Sequence, residues 1–137
     1  MDPTDGPGSQ ERLQHSVSSA ISNLVVRVTR EYTGRGPTQA RTYMQDDLIT
    51  VVLRETLTKG ELRLVENGHG EHVRATRRYF QEAMRDELVT GIEGLTGRRV
   101  IAFMSDNHLD PDLAVELLLL EPRANVEQPE TGRNDGP

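Results

Sequence analysis

The segment Leu113–Leu120, with the sequence L-A-V-E-L-L-L-L, constrains the fold more than any other part of the chain. In a β-strand, successive side chains point to opposite faces of the sheet, so consecutive leucines at 117–120 need apolar surroundings on both faces. Either the first helix of the chain covers the second face, or another subunit does. We favour a homodimer, because a small sheet has few other ways to remove both faces from water.

Apolar periodicity and turn residues predict an α+β domain with the order α-β-α-α-β-β, a small three-stranded sheet with a C-terminal hairpin and helices packed on it. The first predicted helix spans Gln10–Tyr32. The second begins at the capping box Thr58–Glu61 and runs to Glu66. The third carries the apolar positions from Val73 to Leu95 and has Gly97 as its C-cap. The predicted strands are Leu48–Leu53, Val100–Met104 and Leu113–Leu120. Residues 34–41 are predicted to form a loop.

Residues 11–121 are predicted to form this single domain, flanked by disordered tails at 1–10 and 122–137. Both ends are rich in Pro, Gly and acidic or amide side chains and contain little to bury. A chain of 137 residues is long enough for one core only. We therefore expect one domain and no independent second unit.

Composition restricts the function classes. The formal net charge is -6, which argues against a general nucleic-acid binder, because such proteins neutralise phosphates with Lys and Arg. The chain has no cysteine, so disulfides and thiolate chemistry are excluded. Its longest wholly apolar run, Leu117–Leu120, is far too short to span a bilayer, and its first residues do not resemble a secretion signal. We expect a cytoplasmic protein without a transmembrane segment.

The predicted tip of the hairpin, S-D-N-H-L-D-P-D, is a candidate metal site. Its potential ligands occupy alternate positions, which extended backbone would place on one side: Asp106, His108, Asp110 and Asp112. Carboxylate oxygens suit calcium or magnesium, and a histidine can act as a ligand or a base. The same residue types also build turns without any ligand, and we favour that interpretation.

The glycine-rich loop after the first predicted helix is a candidate anion-binding site. The glycine-rich loop G-R-G-P precedes the first predicted strand, and its amides and basic side chains can hold a phosphate or carboxylate. The residues assigned to this site are Arg35, Gly36, Arg41 and Lys59. The segment matches neither the P-loop nor the dinucleotide fingerprint, and we favour the simpler interpretation of a helix-ending turn.

The sequence predicts no catalytic residue and no cofactor. Ser105 lies near His108, but no nucleophile motif or oxyanion hole accompanies it. The basic residues Arg74, Arg77 and Arg78 share one face of the long helix, where nearby acidic residues favour a salt-bridged solvent face. The strand and helix order from Leu48 onward is that of KH domains, but a G-x-x-G loop is absent.

The chain resembles a family of small bacterial proteins, the MpsC-like family, named for the C component of a sodium-translocating, membrane-potential-generating system. The likeness covers Leu13 to Glu121 and is carried by four segments: G-R-G-P-T-Q-A-R-T-Y-M-Q-D-D, L-T-K-G-E, F-Q-E-A-M, and L-T-G-R-R-V-I-A-F-M-S-D-N-H-L-D-P-D. The resemblance implies a peripheral partner of a membrane ion or bicarbonate transport system. It assigns no catalytic residue.

These observations favour a non-enzymatic, cytoplasmic interaction or regulatory module, homodimeric and associated with the inner face of the membrane through a transporter. The first alternative is a ligand-binding or metal-dependent enzyme that uses the tip between Asp106 and Asp112. The second is a KH-like RNA-binding module.

Overall fold

Residues 7–123 form an α+β fold with three helices and one four-stranded antiparallel sheet. The computed structural model describes residues 7–123. The elements are α1 (Pro7–Thr33), β1 (Gln39–Gln45), β2 (Leu48–Arg54), α2 (Lys59–Glu66), α3 (Gly70–Thr96), β3 (Val100–His108) and β4 (Leu113–Leu120). Residues 1–6 and 124–137, which include most of both predicted tails, lie outside the described residues, and α1 already begins at Pro7.

The helix ends form where local chemistry predicts them. Thr58 caps α2 in a complete capping box: its hydroxyl accepts from the Glu61 amide, and the Glu61 carboxylate accepts from the Thr58 amide. Gly97 ends α3 in the left-handed region at φ 69°, and its amide donates to the Glu93 carbonyl. Gly34 has φ 82° directly after α1. The three predicted helices are therefore confirmed.

The prediction of three strands was wrong, because β1 is a fourth strand. It begins within the segment predicted as a loop, at Gln39, and pairs with β2 across a two-residue connection, Asp46-Asp47, with Asp46 at φ 56°. Every second β1 side chain, from Ala40 through Thr42 to Met44, is half-buried against the helices. The other β1 side chains are exposed, so the strand has only a weak apolar signal.

The sheet order is β1-β2-β4-β3, which places the apolar strand β4 in the centre. Helix α1 packs on β1, α3 packs on β3, and the two helices contact each other on the same face of the sheet. The core between them is formed by buried aliphatic residues: Ile21, Val25, Val28, Ile49, Val51, Leu53, Met84, Leu88, Ile92, Ala114, Leu118 and Leu120. The domain thus has two layers, and one face of the sheet is fully occupied.

Candidate functional site

The opposite face of the sheet, here called the open face, is the candidate functional site. Strand pairing aligns its side chains in four rows that run from β1 through β2 and β4 to β3. The rows are Gln39–Arg54–Leu113–His108, Arg41–Val52–Val115–Asp106, Tyr43–Thr50–Leu117–Met104 and Gln45–Leu48–Leu119–Ala102. None of these side chains is buried.

The middle of the open face is apolar and partly accessible to water. On β4, Val115 and Leu117 are half-buried and Leu119 is 38% exposed. Toward the edges, Tyr43 is 53% and Met104 is 61% exposed. Single exposed apolar residues are common, but a continuous apolar patch framed by polar residues is typical of an interaction surface. The sequence argument for cover on both sides of β4 therefore applies to this face.

Charge is distributed unequally along the second row of the open face. Arg41 lies at its β1 end and Asp106 at its β3 end, with Val52 and Val115 between them. Three inter-strand steps of about 4.8 Å separate the two charged residues, a distance that prevents an ion pair within one chain. Both are exposed, and neither forms an ion pair within residues 7–123.

The four residues of the proposed metal site do not share one environment. Strand β3 extends past Met104 and carries Asp106 and His108 onto the open face. The His108 Nδ1 atom lies 2.9 Å from the Pro111 carbonyl oxygen, and Asp110 is exposed in the turn. Within residues 7–123, no group of three or more His, Asp or Glu side chains is arranged to hold a metal ion.

Asp112 has a structural role that the sequence did not reveal. Its carboxylate accepts hydrogen bonds from the amides of Thr56 and Leu57, at 3.1 and 3.0 Å, and both residues are buried. Its carbonyl also accepts from the Glu55 amide at 3.0 Å. Asp112 therefore holds the segment that connects β2 to α2.

Asp112→Ala is expected to lower the free energy of unfolding by about 2 kcal/mol, because two buried amides lose their acceptor. Urea denaturation measures the loss, with Asp110→Ala in the same turn as control. We expect Asp112→Ala to lower the free energy of unfolding by the same amount in EDTA as in calcium, magnesium, manganese or zinc. A metal-dependent rise in the melting temperature that His108→Ala abolishes would instead support the metal hypothesis.

The proposed anion-binding residues lie on different elements. The Arg35 Nε donates to the Glu55 carbonyl at 3.2 Å, and Gly36 lies beside the guanidinium of Arg30. Arg41 is on the open face of β1, and Lys59 is exposed in the first turn of α2. The glycine-rich segment thus stabilises the turn after α1, while the anion site itself stays a hypothesis.

A buried polar cluster lies on the helix-covered side of the sheet. Glu116 is 2% exposed and projects from β4 toward a cavity of about 10 Å³, close to the minimum for one water molecule. Burial raises the pKa of the Glu116 carboxyl to about 7. The neighbouring Ser105 hydroxyl offsets this only in part, since neither Ser105 Oγ nor Glu116 Oε1 has a hydrogen-bond partner of good geometry.

The prediction of a solvent-exposed arginine face on α3 was wrong for Arg77. This residue is 3% exposed, its Nε and Nη2 atoms donate to both carboxylate oxygens of Glu61, and Nη2 also donates to the Thr56 carbonyl. Arg77 therefore connects α3 to α2 and to the segment before it. Its partner lies 16 residues away in sequence, beyond the range of helix spacing rules.

Comparison with known proteins identifies the family. The family model described as Na+-translocating membrane potential-generating system (MpsC) matches residues 13–122 of the 137-residue chain. No curated protein and no solved structure matches it. Because the family model covers more than half of the sequence, the chain belongs to the MpsC family, as the resemblance predicted.

Proposed function

We propose that this member of the MpsC family is a non-enzymatic, cytoplasmic interaction or regulatory module. It works as a homodimer, peripheral at the inner face of the membrane, and supports a membrane ion or bicarbonate transport system that generates membrane potential. The open face is the surface through which the module assembles. The apolar, partly accessible centre of that face, around Leu117, is the single observation that carries the proposal.

The geometry supports binding more directly than catalysis. Most polar groups of the open face lie on the edge strands β1 and β3, instead of converging in an enclosed pocket. The buried charged residues, Glu116 and Arg77, face other elements of the chain. An apolar surface with a polar edge has the anatomy of a protein interface.

The link to a membrane system comes from the family description. None of the helices within residues 7–123 is long and apolar enough to cross a membrane. Association with a bilayer would therefore depend, for this part of the chain, on contact with a membrane protein or with the bilayer surface. Partner binding on a rigid sheet fits this role, because strands hold their side chains in a fixed arrangement.

The test compares a gene deletion with complementation in cells that produce the protein. We expect deletion to lower the membrane potential, measured with a voltage-sensitive dye, and the wild-type chain to restore it. Leu117→Lys should fail to restore it and should raise the dimer dissociation constant by roughly 100-fold, because each subunit then places a charged side chain in the centre of the interface. Sedimentation equilibrium measures the dimer.

The matched control is Leu64→Lys, an identical substitution on α2, where Leu64 is already exposed outside the sheet. It should complement fully and leave dimerisation unchanged. Circular dichroism of both variants checks that the fold is intact. A deletion without effect on membrane potential, or full complementation by Leu117→Lys, would contradict the proposal.

A further inference from the structure

We propose that the open faces of two chains stack with the twofold axis parallel to the strands, so that Arg41 of each subunit pairs with Asp106 of the other. The inference rests on the proposed homodimer and specifies how it is built. The occupant of the open face is thus a second copy of this chain, oriented by the charges at the two ends of one row.

A twofold axis in this direction, placed between β2 and β4, lays each row over the same row of the partner subunit in reverse order. In the second row, Arg41 then lies over Asp106 of the partner subunit, and Val52 lies over Val115 of the partner subunit. Sheets stack about 10 Å apart, a gap that an arginine and an aspartate can bridge together. The aligned packing angle of about −30° moves the edge strands by a distance within the reach of an arginine side chain.

The same operation matches apolar side chains in the other rows. Tyr43 lies over Met104 of the partner subunit, an aromatic–sulfur contact, and Leu48 lies over Leu119 of the partner subunit. These four residues include the most exposed apolar side chains of the open face. Arg54 lies over Leu113 of the partner subunit, where its aliphatic stem can cover the leucine while its charged end reaches water.

A twofold axis perpendicular to the strands gives a worse match. If that axis follows the second row, Arg41 lies over Arg41 of the partner subunit. Asp106 likewise lies over Asp106 of the partner subunit, so two like-charge contacts form. If it runs between the second and third rows, Arg41 lies over Tyr43 of the partner subunit. Asp106 then lies over Met104 of the partner subunit, where no cation compensates its charge. Like-charge contacts and uncompensated carboxylates both disfavour association, so the charges select the parallel axis.

The size of the open face sets the expected affinity. Four strands at about 4.8 Å spacing and seven residues at about 3.4 Å rise give roughly 460 Å² per subunit in projection. Side-chain relief increases the accessible area beyond this figure. The total lies near the lower limit of about 1,000 Å² for a specific interface, so we expect a micromolar dissociation constant.

The test is a charge exchange in the full-length chain. Arg41→Asp and Asp106→Arg should each raise the dimer dissociation constant on the order of 30-fold, because every dimer contains the affected pair twice. The double variant Arg41→Asp/Asp106→Arg should return to within about threefold of the wild type, because both pairs form again with reversed sign. Sedimentation equilibrium at low ionic strength measures all four chains.

Denaturation of the same chains at concentrations below the dimer range is the control. The two positions are too far apart to pair within a subunit, so the double variant should show additive effects on monomer stability. Rescue of dimerisation without such coupling confirms an intersubunit pair. A wild-type dimer that the double variant does not rescue overturns this geometry alone, whereas a wild-type monomer at all concentrations overturns the homodimer itself.

Discussion

Glu116→Gln is expected to raise the free energy of unfolding by about 3 kcal/mol at pH 8 and to leave it nearly unchanged below pH 4.5. The folded protein holds the Glu116 proton to a pKa of about 7, whereas the ordinary value is 4.5. Each pKa unit corresponds to about 1.4 kcal/mol, so keeping this carboxylate ionised in the core costs roughly 3 kcal/mol at alkaline pH. Glutamine has nearly the same shape and never ionises.

The direction of the pH dependence follows from proton binding. Between about pH 4.5 and pH 7 the folded state retains the proton and the unfolded state has lost it, so stability falls as the pH rises through this window. Below the window both states are protonated, and above it both are ionised. Urea denaturation of the wild type and of Glu116→Gln at half-unit intervals from pH 4 to pH 8.5 measures the difference directly.

The matched control is Glu82→Gln, which removes an exposed carboxyl on α3. Its free energy of unfolding should differ little from that of the wild type, and the difference should not change between about pH 4.5 and pH 7. Equal stability of Glu116→Gln and the wild type at pH 8 would contradict the prediction, since it would mean that another group compensates the buried charge.

The helices were predictable because their ends are encoded locally. Thr58 and Glu61 satisfy orphan amides at the start of α2, and Gly97 permits the left-handed conformation after α3. Strand β1 was not predictable in the same way. Its inward residues are small or polar, apart from Met44, and its turn is Asp-Asp instead of the common Asn-Gly or Asp-Gly. Its stability comes from pairing with β2 and from contact with α1.

The open face was partly predictable. The run around Leu117 required apolar cover on both sides, and within residues 7–123 a helix layer lies on only one side. The alignment of Arg41 with Asp106 was not accessible, because it depends on the register of three strand pairs at once. Glu116 did leave a signal: it is the one charged residue in an otherwise apolar strand, at a position that alternates with buried neighbours.

Arg77→Met is expected to lower the free energy of unfolding by about 3–5 kcal/mol. The substitution leaves the Glu61 carboxylate and the Thr56 carbonyl without a donor in a largely buried site, and an uncompensated buried charge is costly. Urea denaturation at pH 7 measures the loss. The control is Arg78→Met, the same change at the adjacent exposed position of α3, which should cost less than about 0.5 kcal/mol.

A double-mutant cycle with Glu61→Gln separates the ion pair from the packing of Arg77. Glutamine keeps a side-chain oxygen for the Thr58 amide, so the capping box persists while the charge is removed. The double variant has no unpaired carboxylate at this site. We therefore expect its loss of unfolding free energy to be smaller than the sum of the two single losses by at least about 1.5 kcal/mol. Additive losses would mean that Arg77 stabilises the fold through its apolar stem and its bond to Thr56. A coupling of the expected size would show that the charged contact with α3 helps to hold α2 in place, a helix that buries none of its own residues.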